Sequence, residues 1–409
     1  MCQSANAPTP VATAGNQVNA IRFVATISIV AIALQVTPRR LAAQQADTAR
    51  VPVVRVDGDG ITVSSADSAT KLTFRFRTQL TTTLSLPESD TDVDRSLATE
   101  VRRARIRLGG SLWDPRLGVS LQLGLAPRDH SGGNPGTTAV LRDANISWQQ
   151  TPQLRFQMGL GKLPGNRQRT ISSGDQQFAE RGLVNNTFTT DRDVHVMAVW
   201  KQGGRAPWSW AGAVSTGEGR ASAGPDMGLA YTTRFDIQPL GAFTGNNADR
   251  EGDHAREPAP RLLLGVVFTH NDRAWRSRGQ LGDFLDAPRD LTTVLADVTL
   301  KYRGFSLYLE GAHRDAGPTS LPVALGDDPR GKGGLLQIGY LTRAGWEPSF
   351  RIARVELQDD IDANQASLNL VRYLRGHRIK YMIEAGREWG NDPSAADRWL
   401  VRTNFEVGI

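Results

Sequence analysis

The chain has 409 residues and a formal net charge of +6 at pH 7, and its length permits either two ordinary domains or one large barrel. Its mean hydropathy of −0.35 would by itself suggest a soluble protein, but the same value is expected for a barrel, whose strands place apolar side chains at alternate positions only. Arg22, Arg39 and Arg40 supply three of the six net charges, so the rest of the chain is weakly basic, which argues against nucleic acid as its main partner.

The first predicted element is an export signal. Residues 23–36 form a continuous apolar run of 14 residues, which is too short for a membrane-spanning helix and is typical of the core of a signal peptide. We expect a signal peptide over residues 1–43, with cleavage near Ala43, followed by a periplasmic segment over residues 44–70. Cys2 is the only cysteine and lies in this leader, so neither a disulfide nor a cysteine-based metal site is expected in the mature chain.

From residue 71 to residue 409 the sequence alternates between apolar and polar side chains in short stretches. In the last stretch Trp399, Val401 and Phe405 fall on one face of a strand, and Arg402 and Glu406 fall on the other. A soluble sandwich would show the same local pattern, but not so many strands behind an export signal. We count sixteen, starting near residues 72, 104, 117, 140, 154, 194, 208, 227, 262, 294, 305, 335, 349, 367, 378 and 399. The pattern predicts an all-β fold, a transmembrane antiparallel β-barrel of about sixteen strands.

The connections between these strands alternate in length. Short turns are expected at residues 149–152, 302–304, 342–345 and 374–377, and long loops at 87–99, 126–139, 163–192, 270–290, 314–333 and 387–398. Bacterial barrels have short periplasmic turns and long outer loops. Residues 237–260 break the rule, because a long polar insertion stands where a short turn is expected. Either this insertion extends into the periplasm or the strand count is wrong there by one pair.

Three segments carry more specific patterns. They are EVRRARIRLGGSL at 100–112, LRDANISWQQTPQLRFQMGLGKL at 141–163, and a loop at 171–196 that contains FAER and DRD. All three resemble the phosphate-selective porin O and P family. The resemblance implies a trimeric, sixteen-stranded outer-membrane porin that passes anions, in which the third long loop, about 163–192, folds into the barrel and narrows it. The chain departs from the lysine-rich pattern associated with phosphate selectivity, since it has only six lysines.

The alternation places many charged side chains on the inner face of the predicted barrel. The inward cations include Lys301, Lys380 and Arg402, and the inward carboxylates are Asp143, Asp193, Asp297, Glu310, Glu384 and Glu406. Inward arginines and lysines attract anions, and a narrow low-dielectric passage strengthens the field. The candidate anion pathway is formed by Arg75, Arg77, Arg103, Arg105, Arg107, Arg155, Lys162, Arg167, Arg169 and Arg181. In the alternative interpretation these side chains brace the third loop and pair with carboxylates.

Motifs for other activities are incomplete. Residues 326–332 resemble a phosphate-binding P-loop, but Gly333 replaces the required Ser or Thr. The six histidines lack the spacing of a zinc helix, and no nucleophile and base pair is evident. We therefore expect no enzyme activity, no metal and no cofactor. The expected partners are small inorganic anions such as phosphate, outer-membrane lipid and lipopolysaccharide, and two further copies in a homotrimer.

The predicted function is passive diffusion of small anions through the bacterial outer membrane, with phosphate-like oxyanions favoured. Three alternatives stay open on sequence alone. The first is a general, weakly selective porin for small solutes. The second is an outer-membrane enzyme, and the third is a structural or adhesive barrel plugged by the loop at 163–192.

Overall fold

The computed structural model describes residues 52–58, 60–88, 95–130, 141–220, 228–318, 328–391 and 397–409. The predicted signal peptide and its cleavage site lie outside these residues. Within the predicted periplasmic segment, strands β1 (Val53–Asp57) and β2 (Gly60–Ser64) form an antiparallel hairpin, and β2 also pairs with the first barrel strand. None of the helices in the described ranges has the length and apolar character needed to cross a membrane.

The barrel begins at Lys71, and each strand pairs with the next one along the chain. Its described strands are β3 (Lys71–Pro87), β4 (Ser96–Leu112), β5 (Asp114–Gly124), β6 (Leu141–Gln149), β7 (Leu154–Lys162), β8 (Arg192–Gln202), β9 (Trp208–Ser215), β10 (Ala230–Ile237), β11 (Arg261–Gln280), β12 (Phe284–Tyr302), β13 (Phe305–Ala316), β14 (Gly331–Tyr340), β15 (Trp346–Leu357), β16 (Asp362–Tyr373), β17 (Ile379–Gly390) and β18 (Arg398–Gly408). Antiparallel pairing of β18 with β3 closes the ring. The described residues thus confirm the predicted sixteen-stranded antiparallel barrel.

Side-chain burial follows the predicted alternation. On β18, Trp399 and Phe405 are 53% and 39% exposed, whereas Asn404 and Glu406 are 1% and 0% exposed. The apolar side chains therefore cover the outside of the cylinder, and the polar ones lie inside it. Closure leaves no unpaired edge among the described strands of the barrel, as a sheet surrounded by lipid requires.

The predicted loop at residues 270–290 is wrong. Strand β11 continues to Gln280 and β12 starts at Phe284, so these residues form a long hairpin beyond the neighbouring strands. Two register shifts, one on each side of Ala274, interrupt the pairing of β11 with β12. Each shift reverses the face that the following residues occupy. The alternation of apolar and polar residues is therefore interrupted, and the sequence pattern does not reveal the strand here.

Short helices lie in the connections. They are α1 (Pro127–His130), α2 (Arg167–Thr170) and α3 (Leu183–Phe188), with 3₁₀ turns at Asn247–Asp249 and Gln358–Asp360. The long insertion between β10 and β11 occupies residues 238–260, and the strand count on both sides of it is correct. Of the two explanations left open for this segment, a strand count wrong by one pair is therefore excluded for the described residues.

The segment between β7 and β8, residues 163–191, lies against the inner face of one half of the barrel. Val184 and Phe188 on α3 are fully buried and pack on the inward-facing Val267, Leu295 and Val355. These three residues belong to β11, β12 and β15, which lie across the barrel from β3 and β4. We call β11 to β15 the docking wall, because this apolar contact holds the loop to that side.

Candidate functional site

The wall opposite the docking wall is built from arginines on two neighbouring strands. Arg75 on β3 pairs in register with Arg107 on β4, and Arg77 pairs with Arg105. Like charges directly opposite each other destabilise a sheet, so this arrangement needs compensation from elsewhere. We call β3 to β7 the arginine wall.

Part of that compensation comes from the loop. The hydroxyl of Ser173 accepts hydrogen bonds from Arg77 Nη2 at 2.7 Å and from Arg105 Nη1 at 2.8 Å. Arg105 Nη2 also donates to Asp129 Oδ1 at 3.0 Å, and Arg77 Nε lies 3.5 Å from Glu406 Oε1. The remaining positive charge of the four arginines faces the space between the loop and the wall.

A carboxylate of the loop is clamped by β4. Arg103 Nη2 donates to Glu180 Oε2 at 2.8 Å and Nη1 donates to Gln79 Oε1 at 2.8 Å, while Arg102 makes a two-pronged contact with the same carboxylate. Burial alone would raise the pKa of Glu180, but the charges of Arg103 and Arg102 outweigh burial and hold the pKa well below 4.5. Glu180 is therefore ionised at neutral pH, and the clamp is a charged one.

Arg102 takes part in this clamp because of a β-bulge. Gln79 pairs with Arg103 and Leu80 pairs with Val101, so Arg102 is an extra residue on β4. A second bulge makes Arg142 the extra residue on β6, where it is 7% exposed and donates to Asp129 Oδ1 at 2.7 Å. Bulges re-aim side chains, and both of these turn an additional arginine inward. Strict alternation could not predict either one.

The loop is also held by ion pairs at its two ends. Arg167 Nη2 lies 2.6 Å from Asp236 Oδ1, and Arg167 Nε lies 3.4 Å from Asp297 Oδ1. At the other end Asp191 is paired with Arg169 and Arg192. Burial opposes ionisation of Asp191, but these two arginines lower its pKa well below 3.8. The loop thus bridges the docking wall and the arginine wall through charged contacts.

Two connected cavities remain between the loop and the arginine wall. The central cavity has a volume of about 480 Å³, and the turn-side cavity has a volume of about 540 Å³. They share Arg105, Arg107, Gln122 and Ser172. The turn-side cavity reaches His377 and Ile409, at the end of the barrel that carries the short turns and is periplasmic in such proteins.

The lining of the central cavity is strongly cationic. Its only carboxylate among the described lining residues is Asp143, and its cations are Arg105, Arg107, Arg142, Arg155, Lys162, Arg169, Arg181 and Arg192. Within the described part of the chain, Arg107 and Arg155 have neither a hydrogen-bond partner nor an ion-pair partner. Lys162 and Arg181 donate only to backbone carbonyls of the loop. A small anion in this cavity would therefore find unused N–H donors and a positive potential.

Eight of the ten predicted pathway residues line one cavity or both. They are Arg75, Arg77, Arg105, Arg107, Arg155, Lys162, Arg169 and Arg181. Arg103 and Arg167 line neither cavity and make the bracing contacts described above. Lys380, also predicted to face inward, is fully buried beneath the loop, where it donates to the carbonyls of Gly174 and Gln176. Sequence reasoning missed Arg142 as a lining residue.

The described residues contain no group of three or more histidine, cysteine or acidic side chains placed to hold a metal ion. Arginine and lysine dominate the described lining instead. Their N–H groups donate hydrogen bonds to oxyanions and do not ligate metal cations. The described lining therefore offers hydrogen-bond donors rather than metal ligands.

Comparisons with known proteins agree with this architecture. The model of the family described as phosphate-selective porin O and P matches residues 74–249. The fold is similar to that of an anion-selective porin from Comamonas acidovorans, at 11% identity over 83% of this chain and 99% of that chain, with a TM-score of 0.55. It is also similar to OmpF of Salmonella typhi, at 9% identity over 83% of this chain and 98% of that chain, with a TM-score of 0.53.

A third similar structure is in-vitro folded OmpT of Vibrio cholerae in a trimer form, at 12% identity over 83% of this chain and 99% of that chain, with a TM-score of 0.50. At such identities these likenesses show the fold alone, and no curated protein sequence matches the chain. The family match covers the arginine wall and the loop that docks across from it. Residues 74–249 are thus similar to the phosphate-selective porin O and P family, and the barrel has the fold of outer-membrane porins.

Proposed function

We propose that this porin carries small anions passively across the outer membrane and favours phosphate-like oxyanions. The observation that carries the proposal is the central cavity, in which eight cationic side chains and one carboxylate are found among the described lining residues. Within that set, Arg107 and Arg155 have no protein partner among the described residues. Their guanidinium groups are the best candidates for direct contact with a permeating ion.

The physical basis is a positive potential in a narrow, low-dielectric passage. Such a passage raises the local concentration of anions and repels cations. A guanidinium group also presents N–H donors in a planar fork that fits two oxygens of a phosphate or carboxylate group. Conduction requires that binding be weak enough for release, and several neighbouring cations allow an ion to pass from one group to the next.

The proposal includes a homotrimer in the outer membrane, with lipid and lipopolysaccharide against the apolar outer face. It is supported by the trimer form of the similar OmpT structure. A gel-filtration and cross-linking measurement in mild detergent tests the assembly, with a species of three copies expected. A monomer under conditions that preserve the folded barrel would contradict it.

The test of selectivity is the reversal potential of the purified protein in planar bilayers under gradients of KCl and of potassium phosphate. We expect anion permeation to dominate, and we expect the double variant Arg107→Gln/Arg155→Gln to lower the anion-to-cation permeability ratio by about two-fold or more. Arg116→Gln is the matched control, because Arg116 lies outside both cavities and pairs with Asp114. It should keep the wild-type ratio.

Two results would contradict the proposal. A wild-type permeability ratio near one would indicate the general, weakly selective porin. No conductance from a folded, inserted barrel would indicate a structural or adhesive protein. Competition between phosphate and chloride, measured as the drop in chloride current when phosphate is added, tests the preference for oxyanions separately.

A further inference from the structure

The insertion at residues 238–260 does not hang free at the periplasmic end. It turns back into the barrel, where Glu251, Asp253 and Glu257 are 6%, 0% and 0% exposed. A polar segment that merely extended into the periplasm would leave its carboxylates in water. The burial of three carboxylates indicates a specific docked structure.

The docking contact is centred on Lys301 of β12. This side chain is 1% exposed, and its ammonium group donates to the carbonyls of Asn247, Arg250 and Gly252 at 2.5, 2.6 and 2.6 Å. All three donors of the ammonium group are thus used by the backbone of one short stretch. Lys301 therefore fixes the insertion to the barrel wall.

The insertion and the loop at residues 163–191 meet inside the barrel. The backbone N–H of Glu251 donates to the carbonyl of Asp175 at 2.8 Å, and the carboxylate of Glu251 accepts from Gln177 N at 2.8 Å and from Gln337 Nε2 at 3.0 Å. His377 Nε2 lies 3.0 Å from the carbonyl oxygen of Glu251. Glu251 joins the two inward segments to each other, to β14 and to the turn before β17.

Two other carboxylates of the insertion accept hydrogen bonds, one of them from the neighbouring turn between β12 and β13. Asp253 accepts from the N–H of Gly304 at 2.7 Å and from that of Glu257 at 3.0 Å, and Glu257 accepts from the N–H and hydroxyl of Thr244, both at 2.9 Å. Gly252 has a φ of +71°, and a Cβ there would lie 2.9 Å from a carboxylate oxygen of Glu347. The positive φ at this point favours glycine over other residues.

Two residues of the insertion, Asn246 and Arg250, line the turn-side cavity. Arg250 shares this lining with Arg75, Arg77, Arg375 and Arg378, and the carboxylates of the cavity are Asp175 and Glu406. The other cations of this cavity come from the strands and from the turn before β17. Arg250 therefore adds positive charge to the turn-side cavity from the insertion, and not from the strands of the arginine wall.

We propose that residues 238–260 form a second constriction element, which closes the docking-wall side of the pore from the periplasmic end and presents Arg250 as a further selectivity residue. The assignment of Arg250 rests on the proposed anion function, whereas the constriction does not. The two inward segments, one from each end of the barrel, then confine permeating ions to the arginine wall.

The experiment compares single-channel conductance and reversal potential for three variants of the full-length protein. The first replaces residues 241–257 with a short Gly-Ser linker, the second is Lys301→Met, and the third is Arg250→Gln. Arg205→Gln is the control for the third variant, since Arg205 is exposed at the same end of the barrel and lines neither cavity. Heat-modifiable migration in gels and strand content by circular dichroism establish that each barrel is folded.

We expect the shortened variant to conduct about two-fold more than wild type, because its pore is wider. It should also lose part of its anion preference, because water in the wider pore weakens the field of the arginine wall at the permeating ion. Lys301→Met should raise conductance less and increase current noise, since the segment stays present but loses its anchor. Arg250→Gln should lower anion preference with little change in conductance, and Arg205→Gln should alter neither. If the shortened variant does not fold, the conductance and noise of Lys301→Met test whether residues 238–260 constrict the pore.

The proposal that residues 238–260 constrict the pore would be wrong if the shortened variant folds and keeps wild-type conductance and noise. The same result for folded Lys301→Met would also contradict it. An unchanged permeability ratio in Arg250→Gln would overturn the selectivity role. Failure of the proposed anion function would give a different result. The anion-to-cation permeability ratio of the Arg107→Gln/Arg155→Gln variant would then be unchanged, while the shortened variant would still conduct more than wild type.

Discussion

Arg77 and Arg105 face each other across β3 and β4, and both guanidinium groups donate to the single hydroxyl of Ser173. The loop therefore supplies a neutral acceptor between two like charges, while Asp129 and Glu406 supply carboxylates to Arg105 and Arg77 from elsewhere. A further carboxylate at the position of Ser173 would reduce the positive charge of the wall. This relationship leads to the first prediction.

Ser173→Asp should lower the anion-to-cation permeability ratio, because a carboxylate would neutralise part of the charge of Arg77 and Arg105. Ser173→Ala should preserve the ratio and lower stability instead, since hydrogen bonds to charged groups contribute about 1.5–3 kcal/mol each. Reversal potentials and thermal unfolding in detergent measure the two effects. A wild-type ratio in Ser173→Asp would show that these arginines do not face the permeating ions.

The Glu180 clamp on the loop should be insensitive to pH until the solution is acidic. The pKa of Glu180 is held below its ordinary value of 4.5 in the folded protein, so its contribution to stability is complete above that value. The contribution is lost as the pH falls from 4.5 toward the lower folded pKa. We expect the contribution of the Glu180 clamp to be constant above about pH 5, and conductance and noise to change as this clamp is lost below about pH 4.5.

Glu180→Gln is the matched variant for this prediction. It removes the acid-sensitive contact and leaves Arg102 and Arg103 without their carboxylate, so the loop should be less firmly held at neutral pH. A smaller change of conductance and noise in acid should remain, because Asp191 also loses its charge there. Burial opposes ionisation of Asp191, but its arginine partners lower its pKa nonetheless. An onset of the wild-type change near pH 6.5 would point to histidine instead and contradict the assignment.

Asp297→Ala should strongly destabilise the folded channel. Asp297 Oδ2 accepts from Arg234 Nη2 at 2.7 Å, Arg167 lies 3.4 Å from the other oxygen, and the Asp297 side chain is 1% exposed. Removing one partner of a buried charge network costs about 3–5 kcal/mol, because the remaining charges lose their compensation. Denaturant unfolding in detergent measures the loss.

The control for Asp297→Ala is Asp114→Ala. The Asp114 carboxylate pairs with Arg116 at 2.7 Å, but the Arg116 side chain is 57% exposed. Solvent screens such a pair, so its removal should leave the unfolding midpoint close to wild type. Equal destabilisation by the two substitutions would refute the idea that the Asp297 network anchors the loop.

Phe188→Ala should loosen the loop from the docking wall. Phe188 is fully buried and packs in one cluster with Val267 and Leu295, and truncation of a buried phenylalanine costs about 3–5 kcal/mol. Limited proteolysis should cut residues 163–191 faster, and open-channel current noise should rise. Phe268→Ala is the control, because Phe268 lies on the outer face at 46% exposure and should not change cleavage of the loop.

The sequence alone determined the barrel, the number of its strands and the faces of most side chains. Alternation along β18 was sufficient to place Phe405 outside and Glu406 inside, because a strand's geometry repeats every two residues. The same rule failed at Arg102 and Arg142, where a bulge adds one residue and changes the direction of the next side chains. It failed again beyond Asn271, for the same physical reason.

Only the tertiary structure decided which inward cations are free. Arg103 and Arg107 lie on one strand and one face, yet Arg103 is clamped by Glu180, which is 77 residues away in the chain, and Arg107 has no partner among the described residues. The fold likewise brought Glu251 to Asp175 and turned an apparent periplasmic excursion into a docked segment. Period and composition are local properties, whereas compensation of charge depends on contacts between distant parts of the chain, which a local pattern does not encode.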